Sequence, residues 1–279
     1  MLSSILNQNP RFYSGPSSPV LGAMYAIQDN FANNELYHGY PKPEQVDKII
    51  GSVIENFYED IDKPVVIDKN RAWTARVPYI EGYIKQKARI IVPVRSVDEI
   101  LTSMLTMIHR NPFQEGQARI NFIDEQLVKS NIPINDINRC QWLLNPNGIV
   151  YEALNAIKVG IDERYENRFH FVDYNDLINN TQEELNKIYS FLGEEPFQHT
   201  FDSLSNQSRE NDLHTYGLSD MHEVRPKVKK TSPSPSSVLP REILELYNTN
   251  KSSLEFWKNS SIMNTQPIPS RSSFLGQVF

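Results

Sequence analysis

Residues 89–96 read Arg89-Ile90-Ile91-Val92-Pro93-Val94-Arg95-Ser96. β-Branched residues crowd between the two arginines, which predicts a short buried strand over Arg89–Val94. Ser96 then precedes Val97-Asp98-Glu99, the pattern of a helix start. It predicts a helix from Val97 to about His109, capped by Ser96, with Glu99 at the third helical position completing a capping box. A strand that runs straight into a helix is the opening of a βα unit. Two more strands fit the same scheme. Pro64–Ile67 is followed by the polar turn Asp68-Lys69-Asn70-Arg71, and Phe169–Val172 is followed by Tyr174 and Asn175.

Helical patterns fill the spaces between the strands. They cover residues 2–8, 20–33, a stretch opening at Pro43, 73–85, 120–129, 135–144 and 148–163. Thr181, with Glu184 three residues on, predicts the cap of a last helix that stops at Gly193. Strands separated by helices argue for an α/β fold, a parallel sheet flanked by helices. The Ser-, Gly- and Pro-rich segment Arg11–Pro19 reads as a loop. Residues 203–240 read as a long loop region, and 259–279 as a flexible C-terminal tail. One α/β domain over 1–258 accounts for the rest.

Composition narrows the function classes. The chain has 279 residues, 39% of them hydrophobic, enough for a sizeable core and against wholesale disorder. The net charge of −6 argues against a globally basic surface, so no nucleic-acid partner is expected. The apolar runs are far shorter than the roughly 20 residues that span a bilayer, so no membrane partner is expected either. The opening MLSSILNQNP lacks the features of a signal peptide. The single cysteine, Cys140, has no partner for an internal disulfide, which fits a cytoplasmic setting. The six histidines are scattered without metal-ligand spacing, and no metal is expected. The chain also lacks a Gly-x-Ser-x-Gly elbow and the Gly-x-x-x-x-Gly-Lys-Ser/Thr loop of nucleotide kinases.

Ligands of open parallel sheets bind beyond the carboxyl ends of the strands. Lys69, Arg71 and Arg95 would bring cations to that rim, which suits phosphate or sulfate. The helix opening at Ser96-Val97 adds backbone N–H groups and a positive dipole end. Ser103 lies eight residues after Arg95, two turns into that helix, where its hydroxyl can join the same pocket. An isolated Arg after a strand is commonly a surface ion-pair partner. Cations at successive strand ends give the anion site its weight.

The string Ile90–Arg95 followed by Ser103 resembles the 3′-phosphate-binding segment of sulfotransferases that use 3′-phosphoadenosine-5′-phosphosulfate (PAPS). Val65-Val66-Ile67-Asp68-Lys69 resembles the family strand that ends in a lysine near the transferred sulfo group. Phe169–Leu177 resembles its strand with a Tyr-Glu-x-Leu-like turn, and Phe191-Leu192-Gly193 its usual helix stop. The resemblance spans about residues 1–200 and leans toward the tyrosylprotein and bacterial or viral branches. It implies a P-loop nucleotide-hydrolase-like fold and sulfo transfer from PAPS to an acceptor hydroxyl or amine, with protein tyrosine or carbohydrate as acceptor classes. It also implies Lys69 as the catalytic electrostatic stabiliser, and Arg95, Ser103 and Tyr174 as donor-binding residues. The run Arg225-Pro226-Lys227-Val228-Lys229-Lys230 resembles the segment that closes over the 3′-phosphate and adenine, which adds Arg225 and Lys227.

Two departures from the family pattern stand out. Residues 2–10 resemble the family's first helix, which places the preceding strand and its Pro-Arg-Ser-Gly-Ser/Thr-Thr loop before Met1. The expectation is therefore a domain that lacks its first strand and phosphosulfate loop, through truncation or divergence. An inactive remnant acting as a binding protein is the alternative. The general base also fails to transfer: Arg71 stands where some members carry His. Asp68, His109 and Glu125 remain as candidates.

Overall fold

The structure is a computed structural model that describes residues 1–113, 120–205 and 210–258. The elements run α1 (Leu2–Leu6), β1 (Phe12–Ser17), α2 (Val20–Ala32), α3 (Glu35–Gly39), α4 (Pro43–Phe57), β2 (Val65–Lys69), α5 (Val77–Ile84), β3 (Ile90–Val94) and α6 (Val97–Arg110). They continue with α7 (Phe122–Lys129), α8 (Asp136–Leu144), α9 (Ile149–Asp162), β4 (Phe169–Asp173), α10 (Tyr174–Asn179), α11 (Thr181–Leu192), α12 (Asp212–Tyr216) and α13 (Arg241–Leu254). Both strand pairs are parallel, β1 with β2 and β3 with β4. The chain is thus a helix-rich α/β protein, as the alternation in the sequence predicts.

The strands divide two apolar cores. Phe12, Val65, Ile67 and Val172 of β1, β2 and β4 pack with Ile5, Leu6 and the buried face of α11. On β3 the period-two alternation sends Ile90, Val92 and Val94 to the larger core, built with α2 and α4–α9, while Ile91 faces the smaller one. Each buried Val, Leu or Ile contributes about 1.5–3 kcal/mol, which drives the layering.

The reading of Arg11–Pro19 as a loop is corrected. Phe12–Ser17 is a strand, with Phe12 opposite Val65 and Ser17 opposite Lys69. The expectation of a missing first strand is accordingly not supported, because a strand, a tight loop and a helix occupy residues 12–32. Ser, Gly and Pro hid this strand, which has little hydrophobic signal. Its buried polar backbone is satisfied from outside the sheet. The Asn7 side chain accepts the Ser14 N–H at 2.6 Å and donates to the Ser14 carbonyl at 2.8 Å, in the manner of a neighbouring strand.

Other boundaries shift for local reasons. The helix expected over 73–85 is split into a 3-10 turn at Arg71–Ala75 and α5, with Pro78 in the first turn of the latter. The turn is tightly covered: at Gly160 of α9 a Cβ would come within 2.2 Å of the Thr74 carbonyl oxygen. The Ser96–Glu99 capping box does not form. Ser96 makes no side-chain cap, and Asp98 takes the Glu99 N–H instead. Asn180, not Thr181, is the N-cap residue of α11, and Gly193 ends that helix in the left-handed region, φ 71°. The region 203–240 carries α12 and the buried anchors Leu204, Leu218 and Leu239. Helix α13, unmarked in the sequence reading, packs Ile243 and Tyr247 on the larger core. The tail expected at 259–279 lies outside the described residues.

Cys140 on α8 is fully buried, and burial pushes its thiol up to about 12. The expected result is no labelling by a thiol-specific reagent at mildly alkaline pH until denaturant is added. Labelling of the native protein at the rate of an accessible thiol overturns this. Among the described residues, no helix is long and apolar enough to cross a membrane.

Candidate active site

The parallel register brings the carboxyl ends of the strands together as pairs. Lys69, the last residue of β2, lies opposite Ser17 of β1. The loop after β1 is stitched to that lysine. The Ser18 N–H donates to the Lys69 carbonyl at 2.9 Å, and the Asn70 amide donates to the Ser18 carbonyl at 3.2 Å. Ser18 Oγ accepts the Val20 N–H at 3.1 Å as α2 begins. A strand thus enters a helix through Gly15-Pro16-Ser17-Ser18-Pro19, with the Lys69 ammonium beside the turn.

The second pair ends one residue before Arg95 and Tyr174, because Val94 lies opposite Asp173. Arg95 stacks on the Tyr174 ring, its guanidinium carbon 4.1 Å from the ring centroid. It also donates to Glu99 at 3.1 Å and to Ser232 Oγ at 3.1 Å. Glu99 is shared with Lys230. Burial alone would raise the Glu99 carboxyl, but the bonds from Lys230 and Arg95 outweigh it and hold the group below the usual range. The arginine is therefore fixed from three sides, with its side chain 14% exposed.

Arg95, Ser103, Tyr174, Arg225 and Lys227 line one cavity of about 460 Å³. These five are all of the donor-site residues expected from sequence, and the fold brings them together from β3, α6, α10 and the 219–233 segment. Arg110 and Lys229 join them, so five basic side chains meet two carboxylates, Asp220 and Glu223, in the lining. Lys69 stands at the neighbouring strand end, outside that lining. A cavity with this balance suits a multiply charged anion.

A third group was not visible in the sequence. Glu210 Oε1 accepts from Lys69 Nζ at 3.0 Å and from the Ser17 N–H at 2.9 Å. Glu210 Oε2 lies 3.3 Å from His222 Nδ1. Asp212 accepts from the His222 ring at 2.7 Å and from its backbone N–H at 2.7 Å. Glu210, Asp212 and His222 border a second cavity of about 660 Å³. The two cavities share Ser219, Asp220, Glu223 and Val224, so they adjoin across that segment. No periodicity or spacing marks these three residues; only the fold places them beside Lys69.

The other candidates are committed elsewhere. Arg71 pairs with Glu152 at 3.0 Å on the surface and leaves the rim to Lys69 and Arg95. Asp68 is buried and accepts from Tyr58 at 2.7 Å and Trp73 at 2.6 Å. His109 pairs with Asp136 at 3.0 Å, and Glu125 with Lys129 at 2.8 Å, one turn along its own helix. None of these three lines either cavity.

Cations clustered at the carboxyl ends of parallel strands, beside a strand–loop–helix turn, mark an α/β protein with a cation-rich sheet rim. The family model of the sulfotransferase domain matches residues 77–235, more than half of the chain. The chain belongs to the sulfotransferase domain family. No curated protein and no solved structure matches it.

Proposed function

We propose that this chain transfers a sulfo group from PAPS to an acceptor hydroxyl or amine. The observation that carries the proposal is the convergence of Arg95, Ser103, Tyr174, Arg225 and Lys227 on one cavity next to the Lys69 strand end, in a chain of this family. In this reading Arg95 and Ser103 hold the 3′-phosphate, and Arg225 and Lys227 close over it. The turn at Gly15–Ser18 with Lys69 receives the phosphosulfate end. The acceptor oxygen or nitrogen attacks sulfur as the bond from sulfur to the phosphate oxygen breaks, releasing 3′-phosphoadenosine-5′-phosphate. Lys69 stabilises the charge that builds on the bridging oxygen, so the catalysis is mostly positioning and electrostatics.

His222 is the proposed general base. With its Nδ1 proton directed at Asp212, the ring keeps Nε2 as the nitrogen that takes the acceptor proton. The acceptor then enters by the cavity that His222 borders. The alternative of an inactive binding protein rests on an absent strand and loop; the strand Phe12–Ser17 and the turn into α2 support the transfer reading over it.

Calorimetry with 3′-phosphoadenosine-5′-phosphate tests the donor site. Arg95→Ala is expected to weaken binding by about 10- to 100-fold, the loss of a charge-assisted contact. Equal affinity of the two folded proteins overturns the assignment, as does absence of binding by either.

A further inference from the structure

The cradle proposed for the sulfo end of the donor already holds an anion of the protein's own. Glu210 Oε1 takes the Ser17 N–H at 2.9 Å, the Ser17 hydroxyl at 3.4 Å and the Lys69 ammonium at 3.0 Å. A backbone N–H, a hydroxyl and an ammonium converging on one oxygen make the donor set of an anion site. Two like charges in such a site repel strongly.

We propose that Glu210 is a tethered anion that occupies the Ser17–Lys69 cradle and must leave before an incoming phosphosulfate can take its place. The identity of that ligand rests on the donor reading above; the competition itself does not. The carboxylate stays ionised in the cradle. Burial would raise it, but the Ser17 N–H, Lys69 and His222 outweigh burial and hold it below the usual range. The carboxylate is also felt by Tyr216, whose hydroxyl is raised first by burial and then by the Glu210 charge.

The neighbouring residues let Glu210 go without loss of the segment. Asp212 grips both the ring and the backbone N–H of His222, so this anchor survives when Glu210 swings out. Departure of Glu210 frees Lys69 for the ligand and removes one of the two carboxylates facing His222 Nδ1. Ligand arrival and exposure of the catalytic lysine thereby become one event, and the apparent affinity for the ligand is reduced by the occupied fraction.

Inorganic pyrophosphate is the probe, because it needs the cradle but no nucleotide pocket. Calorimetry should show Glu210→Gln and Glu210→Ala binding it roughly tenfold more tightly than wild type. Adding Lys69→Ala should abolish the gain. Equal or weaker binding by both folded Glu210 variants overturns the proposal, and so does a gain that survives loss of Lys69. If pyrophosphate behaves as expected while no protein binds 3′-phosphoadenosine-5′-phosphate, the donor reading falls and the tethered anion stands. If the nucleotide binds through Arg95 but the Glu210 variants change nothing, the reverse holds.

Discussion

Lys69→Ala is expected to slow breakdown of PAPS to 3′-phosphoadenosine-5′-phosphate by about 10²- to 10³-fold, the scale of one preorganised electrostatic contact at a reacting centre. The assay follows the donor alone, so it needs no named acceptor. Affinity for 3′-phosphoadenosine-5′-phosphate should change less than about tenfold, because the proposed donor site places the other end against Arg95, Ser103 and Tyr174, in a cavity that Lys69 does not line. That separation of rate from binding distinguishes a charge-stabilising lysine from one that merely holds the fold. Unchanged turnover with unchanged nucleotide affinity would remove Lys69 from the mechanism. Lys69→Arg should recover only part of the rate, since a planar fork does not place its charge where an ammonium does.

The largest stability effect is expected at the residue just before it. Asp68 is 4% exposed and accepts from Tyr58 Oη and Trp73 Nε1. Tyr58 follows α4 and also hydrogen-bonds with Ser18 of the loop after β1, while Trp73 sits in the 3-10 turn after β2. One buried carboxylate thus ties the lysine's strand to three neighbouring segments. Asp68→Ala takes the acceptor from two buried donors, a cost of about 3 kcal/mol. The melting temperature should fall by roughly 6–12 °C at 2–4 °C per kcal/mol. Asp68→Asn keeps one acceptor oxygen and should lose about half as much. Thermal unfolding of the three proteins checks this, and a shift of under a degree for the alanine variant would show that the bonds are not formed in solution.

The sequence carried the larger part of the Arg95–Tyr174 cavity because its chemistry is local. Arg95 follows a run of buried β-branched residues, and Ser103 sits two helical turns later, so both are fixed by spacing along adjoining elements. Tyr174 likewise follows the last residue of β4. Strand β1 escaped for the opposite reason. Apart from Phe12, its buried residues are small or polar and Ser14 pairs with the Asn7 amide, so no periodic hydrophobic signal exists to read. The Ser96–Glu99 box failed because Glu99 had two stronger partners, Arg95 and Lys230, the latter 131 residues away along the chain. Tertiary charge pairing overrode a local rule.

Read alone, the residues determined the α/β class and the strand ends on which charge would gather, since both depend on hydrophobic runs and short spacings, while the family resemblance pointed to the five side chains that line one cavity. Only the tertiary structure decided which carboxylate faces Lys69 and which histidine stands behind it. Glu210 and His222 come from a region with little hydrophobic pattern; Glu210 reaches Ser17 and Lys69 across 193 and 141 residues, and His222 lies behind it. Contacts that distant are set by how the whole chain packs, and no local propensity encodes them.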